Sequence, residues 1–250
     1  MRITERAASL LADASEARQR VGTDLLAARA QYMVGMPPPA ALDAFVDMYN
    51  RLSTAAYQTG AGIAGNEARN LTGDLMQDYL GQLLLRLTDP YPSLEVFEQA
   101  TVAFGRYPVW EAGNVRWIAP AHVPDLTVGH RFNNGLPVNL APRRGPETVR
   151  LDPGQEVIPL VMVSSKIRIS MPEFFDWLGR EQLVSKGNPS SLSMQIGLRG
   201  AMDLGVVQAS QSKDNFFILG PGGRGRTAAD QDERHRLEER IFAHLQIYMT

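Results

Sequence analysis

Apolar residues are spaced in two ways along this 250-residue chain. Through about residue 100 they recur every three or four positions, the period of a helix with one buried side. The spacing predicts a helix from Ile3 to about Tyr32, ended by Pro37-Pro38-Pro39. A second runs from Ala40 to Tyr57, with Leu42, Phe45, Val46, Tyr49 and Leu52 on one face. A loop from Gly60 to Gly65 leads to a third, from about Asn66 to Leu87, which Asp89-Pro90-Tyr91-Pro92 terminates. Ser93 to Phe104 reads as a short fourth helix. Leu71, Leu75, Leu80, Leu83, Leu84 and Leu87 form the buried side of the third helix. Asp74, Gln77 and Asp78 lie near its middle, either as a solvated face or as a source of one more carboxylate for a cleft.

From Trp110 the texture changes to short strands and turns. Val115 to Ala119 is one strand, and His122 to Val128 a second with Asp125 at its mouth. Asn133-Asn134-Gly135 and Pro142 to Pro146 are turn sequences. Thr148 to Leu151 is expected to pair with the next strand through an Asp152-Pro153-Gly154 turn.

That next strand, Val157 to Ile169, is the organising element. Its odd positions are almost all apolar, while its even positions change from Ile158, Leu160 and Met162 to Ser164, Lys166 and Arg168. Strand side chains alternate faces, so one face stays in the core while the other runs out into a cleft. Lys166 is one of three lysines in the chain, with Lys186 and Lys213. It reads either as a lysine snorkelling at a strand end or as a compact ammonium placed for chemistry. Ser170 and Glu173 then have capping-box spacing, with Pro172 in the first turn. The helix they open carries Phe174, Phe175, Trp177, Leu178 and Leu183 on its apolar side. From Lys166 to Ser170 the strand advances roughly 13 Å. From Ser170 to Glu181 a helix climbs about 16 Å. A helix folding back along the strand therefore returns Glu181 to about the level of Lys166.

Beyond it, Asn188-Pro189-Ser190-Ser191 opens a segment expected to be helical to about Gln208, and Asn215 to Leu219 is a strand. Gly220 to Arg226 is a glycine-rich basic loop, either a linker or a reach toward phosphates. Thr227 to Met249 is an amphipathic helix with Leu237, Ile241, Leu245 and Tyr248 on one face.

A hydrophobic content of 44% and a mean hydropathy of -0.19 are ordinary for a soluble globular protein. No apolar run approaches 18 residues and no signal-peptide pattern appears, which argues against membrane insertion or export. The chain has no cysteine, which excludes disulfides and thiolate metal sites and agrees with an expected cytoplasmic location. Net charge is -2, but it is unevenly placed. Residues 1–124 carry 10 basic and 13 acidic groups, residues 125–226 carry 12 and 9, and residues 227–250 carry 3 and 5. The middle third is thus mildly basic, and it contains the organising strand. His122, His130, His235 and His244 have no metal-motif spacing, and no nucleophile elbow or P-loop occurs.

Pro124-Asp125, then Ser164-Ser165-Lys166, then Glu181 resembles the PD-(D/E)XK nuclease superfamily. More narrowly, it resembles type II restriction endonucleases of the branch that cuts CCGG-containing sites. There a small residue replaces the strand carboxylate, and a glutamate on the next helix supplies it. The resemblance covers roughly residues 66–185. It implies a restriction-endonuclease-like α/β fold, with a mixed central sheet flanked by helices behind a helical N-terminal region. It also implies a Mg²⁺-dependent, sequence-specific double-stranded DNA endonuclease. Asp125 and Glu181 would be the metal ligands, Lys166 the third catalytic member, and Ser164 a partner for a metal-bound water. Arg168, Arg180, Lys186, Arg199, Lys213 and Arg224 are candidate DNA contacts. A palindromic target would imply a homodimer, with the terminal amphipathic helices as candidate interface elements. This chain carries Ser170-Met171-Pro172-Glu173 where the branch has its base-reading Arg-Asp/Glu-Arg element. The single nuclease domain would comprise a mostly helical part (1–105), an α/β catalytic core (106–226) and a C-terminal helix (227–250). The alternative is a non-enzymatic DNA-binding or scaffold protein that uses the same basic middle third.

Overall fold

The computed structural model describes residues 2–103, 107–111, 113–132, 138–141, 149–151, 156–201, 204–220 and 227–249. Its first part is helical, but each of the first two expected helices is split in two. The first becomes α1 (Arg2–Leu11) and α2 (Glu16–Tyr32). At the break the Asp13 carboxylate accepts the Ser15 N–H at 2.9 Å, a local bond that competes with helix continuation. The second becomes α3 (Pro38–Leu52) and α4 (Ala55–Ala61), the latter closed by Gly62 in the left-handed region at φ 63°. The third helix, α5 (Gly65–Thr88), lies where its periodicity puts it. Asp78 of α5 is only 2% exposed rather than solvated, and it pairs at 2.9 Å with Arg29 of α2. Burial, partly offset by Arg29, raises its pKa.

Strands follow: β1 (Glu95–Glu98), β2 (Val102–Ala103), β3 (Tyr107–Glu111), β4 (Asn114–His122), β5 (Leu126–Phe132), β6 (Val138–Ala141), β7 (Val149–Leu151) and β8 (Glu156–Ile169). The expected helix from Ser93 to Phe104 is instead β1 and β2. Glu95 to Glu98 lines up antiparallel with β5, and Gln99 takes φ 51°, which a continuing helix forbids. β7 pairs with β6 rather than with β8. The two expected turns at 133–135 and 142–146, and the Asp152-Pro153-Gly154 reversal, lie outside the described residues.

After β8 come α6 (Met171–Gly187), β9 (Leu192–Gly200), α7 (Leu204–Ala209), β10 (Phe216–Ile218) and α8 (Gln231–Met249). β9 replaces most of an expected helix. Leu192, Met194, Ile196 and Leu198 are all buried at a spacing of two, and Gly197 lies where a Cβ would come within 2.6 Å of Ile169. The capping box of α6 is present, with the Ser170 N–H donating to Glu173 Oε2 at 2.8 Å. Phe174, Trp177 and Val184 form its buried stripe, whereas Phe175 and Leu183 are 54% and 61% exposed.

The result is a mixed sheet flanked by helices. β8 is its hub: antiparallel to β5 along 156–163, parallel to β9 along 161–169, and joined to β2 at Val157. One face carries the main core, where Val161 and Val163 of β8 pack with Leu71, Leu75 and Leu80 of α5. Leu237, Ile241 and Leu245 of α8 belong to the same core, so the apolar stripe of the C-terminal helix is spent inside the chain. α6 covers the other face: Val184 clusters with Met162 and Val157, and Phe174 and Trp177 with Ile169, so the odd positions do not all share one core face as expected. The register irregularity opposite Val128/Gly129 resets the alternation ahead of Val161.

Candidate active site

β8 outruns β5. The β5–β8 register ends at Leu126 opposite Val163, so the next residue back, Asp125, stands at the place opposite Ser164. From Ser164 to Ile169 the β9 flank of β8 is occupied, and on the β5 flank the ladder has stopped. An unpaired strand N–H needs an acceptor, and Asp125 supplies one. Its Oδ2 accepts the Ser165 N–H at 2.6 Å and the Ser165 hydroxyl at 3.2 Å. Its Oδ1 accepts Nε2 of Gln77, from α5, at 3.2 Å. The Asp125 carbonyl in turn accepts the N–H of Gln99.

The rest of α5's polar face lies close by. Asp74, one turn before Gln77, accepts Nε of Arg6 at 3.1 Å. Arg2, four residues before Arg6 on α1, donates to the Gln99 side chain. Of the three polar candidates on α5, Gln77 touches Asp125 directly, and Asp78 turns toward α2. The clue in the sequence was position: Asp74 and Gln77 are three apart, hence on one helix face.

Ser164 and Lys166 have the opposite parity to Ser165 and therefore belong to the α6 side. Ser164 pairs with Gln195 and Lys166 with Gly197 of β9; Ser164 is half-buried, and Lys166 and Arg168 are exposed. Glu181 shares a helix face of α6 with Trp177 and Val184 and is half-buried. Its carboxylate, however, accepts the Ser212 hydroxyl at 2.8 Å. Ser212 leads into β10, beyond β9. In this arrangement the Asp125 carboxylate meets α5 and β8, and the Glu181 carboxylate meets the chain before β10. Glu181 also lines a cavity of about 330 Å³ with Phe174, Phe175, Leu178, Val206 and Ser212.

Among the described residues no three acidic or histidine side chains gather closely enough to hold a metal ion. The donors at hand are oxygens: Asp125, the Ser164 hydroxyl and, across the sheet, Glu181. That is the donor type Mg²⁺ prefers, and Mg²⁺ is usually held by one or two protein carboxylates plus phosphate oxygens and water.

The expected DNA contacts scatter. Arg168 and Arg199 are register partners on β8 and β9, and the Arg199 guanidinium lies 5.2 Å from the Tyr49 ring centroid. Arg180 is paired with Asp176 one turn away. Lys186 and Lys213 are exposed. Arg224 and Arg226 lie outside the described residues. Among the described residues no helix is long and apolar enough to cross a membrane.

No family model matches the chain, and no curated protein does. Among solved structures the chain is similar to one described as the native BbvCI A2B2 tetramer at low resolution. That likeness has 11% sequence identity and a TM-score of 0.49, over 99% of this chain and 97% of the other.

Proposed function

We propose that this chain is a Mg²⁺-dependent double-stranded DNA endonuclease whose reactive centre is the part of β8 that runs past β5. One observation carries this reading: Asp125 is fastened to Ser165, so that a carboxylate stands beside the strand that carries Ser164, the exposed Lys166 and Arg168. Phosphodiester hydrolysis needs a positioned water and positive charge facing the negative charge that develops around phosphorus. Lys166 supplies such a charge on a stem that can orient a water or a phosphate oxygen. Asp125 and Glu181 are the proposed carboxylates for Mg²⁺, and Glu181 must leave Ser212 to serve. When bound, the ion contributes Lewis acidity and a more acidic water. Arg168, beyond Lys166, extends the positive charge along the strand toward neighbouring phosphates.

The hydrogen bonds also favour a second reading. Asp125 already accepts three bonds and Glu181 one, which suits a structural carboxylate in a non-enzymatic DNA-binding protein. One experiment separates the two. Purified protein is incubated with phage or plasmid DNA in Mg²⁺, in Ca²⁺ and in EDTA, and any ends are sequenced. The nuclease reading expects discrete cuts in Mg²⁺ only, and expects Lys166→Ala to bind DNA in Ca²⁺ without cutting it in Mg²⁺. Full cleavage by Lys166→Ala, or binding without cleavage by the wild type on varied DNA, rejects it.

A further inference from the structure

We infer that Gln77 is a positioning residue that sets the plane of the Asp125 carboxylate; its catalytic consequence rests on the nuclease reading above. The Ser165 N–H and hydroxyl both act on Oδ2, and Gln77 meets the other oxygen, Oδ1, at 3.2 Å. A turn about the Cβ–Cγ bond swings both oxygens, so Gln77 adds to the strand's hold a second restraint on the carboxylate plane, anchored in a different element. Each carboxylate oxygen has about two acceptor directions, so Oδ1 keeps one for a ligand. The donor stands on a rigid base: Leu75, Met76, Tyr79 and Leu80 around it in α5 are at most 1% exposed. A side chain held this way places its acceptor with little freedom to wander.

The residue type matters as much as its place. An amide donates to Asp125 at every pH, whereas a carboxyl at the same position donates only while protonated and repels once ionised. The other charged groups on the α5 side near the pair are Asp74 with its partner Arg6, and Arg2 on Gln99; Lys166 lies on the opposite face of β8. Asp74 and Arg6 pair with one another, so they add little net charge at Gln77.

Two variants and one spectrum test the assignment. Gln77→Ala should lower kcat about 10- to 100-fold, the usual loss when a group orienting a ligand carboxylate is removed, with DNA affinity in Ca²⁺ unchanged. Gln77→Glu should approach wild-type activity at the acidic end and fall as pH rises, giving a limb absent from both the wild type and Gln77→Ala. In metal-free protein, the side-chain amide NMR signal that disappears in Gln77→Ala should move on Asp125→Ala. An amide signal indifferent to Asp125→Ala, or a wild-type pH profile in Gln77→Glu, overturns the inference. If the wild type cuts no DNA, the nuclease reading fails separately, and the amide signal still decides whether Gln77 holds Asp125.

Discussion

At Gly129 two strands come closer than any side chain permits. A Cβ there would lie 2.2 Å from the Ile158 carbonyl oxygen, beside the irregularity between Val128 and Gly129. The cause is Pro159, its register partner, which has no N–H for the ladder and is tolerated in a central strand only at such a bulge. Gly129→Ala should therefore cost roughly 1–3 kcal/mol in urea unfolding; a stability equal to wild type would mean that the backbone relaxes freely. Another residue-scale effect comes from His244, whose Nε2 lies 3.0 Å from the carbonyl oxygens of both Leu160 and Ser190. Burial is the largest influence on its pKa and lowers it, although the two carbonyls pull the other way. The folded state thus binds the His244 proton less readily than the unfolded chain. Its contribution is fully present above the unfolded value of about 6.5 and should be lost as pH falls below it, levelling off beneath the folded value. Asp78, shifted upward, acts in the opposite direction at lower pH, so the difference between wild type and His244→Gln is the quantity to measure. A difference constant between pH 7.5 and 5 would remove His244 from the acid response.

Among the elements, α6 carries a capping glutamate, Glu173, and the proposed metal ligand Glu181. Glu173 closes the capping box, so Glu173→Ala should cost about 1 kcal/mol and leave cleavage intact. Glu181→Ala should abolish Mg²⁺-dependent cleavage, and Ser164→Glu in that background should restore part of it. Asp74→Ala is the informative companion: if it is inactive while Glu181→Ala cuts normally, the second carboxylate belongs to α5. How much of this was legible in the sequence differs by element. β8 announced itself because an unbroken aliphatic run with polar residues on alternate positions has few other meanings, and α6 did so through Ser170, Pro172 and Glu173. β9 was masked by the Asn188-Pro189-Ser190-Ser191 lead-in, which reads as a helix start, although Gly197 and Gly200 argued against a helix and Leu192, Met194, Ile196 and Leu198 kept a period of two. β1 was missed because Val96 and Phe97 suit either element and only pairing with β5 decides between them. Asp125 was picked out by the Pro124-Asp125 pattern within an expected strand from His122 to Val128, whereas β4 ends at His122 and β5 starts only at Leu126. Its bond to Gln77 joins residues 48 apart, which no local pattern reveals.

Across the whole molecule, charge and connectivity set what remains to be tested. Binding through phosphates should weaken steeply with salt. Each of Arg168, Lys186 and Lys213 that touches a phosphate should reduce the log–log slope by about 1 when neutralised, without changing sequence preference. A shift in preference would mark that residue as a base reader instead. The size of the complex on a palindromic duplex, measured by light scattering, tests the homodimer. β8 has a further consequence, for the order in which the chain is made. Its antiparallel partner β5 leaves the ribosome before it, but its parallel partner β9 follows α6 and is complete only at Gly200. Until then a nascent chain carries a long aliphatic strand with one edge bare, the situation that invites pairing with a neighbouring copy. α6 emerges during that interval with its own helix start built in, ready to cover one face of β8 before the edge is closed. The capping box at Ser170 is therefore expected to matter during synthesis as well as in the finished fold: chains released at about Gly187 should aggregate more when Ser170 and Glu173 are both alanine, as sedimentation of truncated products would show.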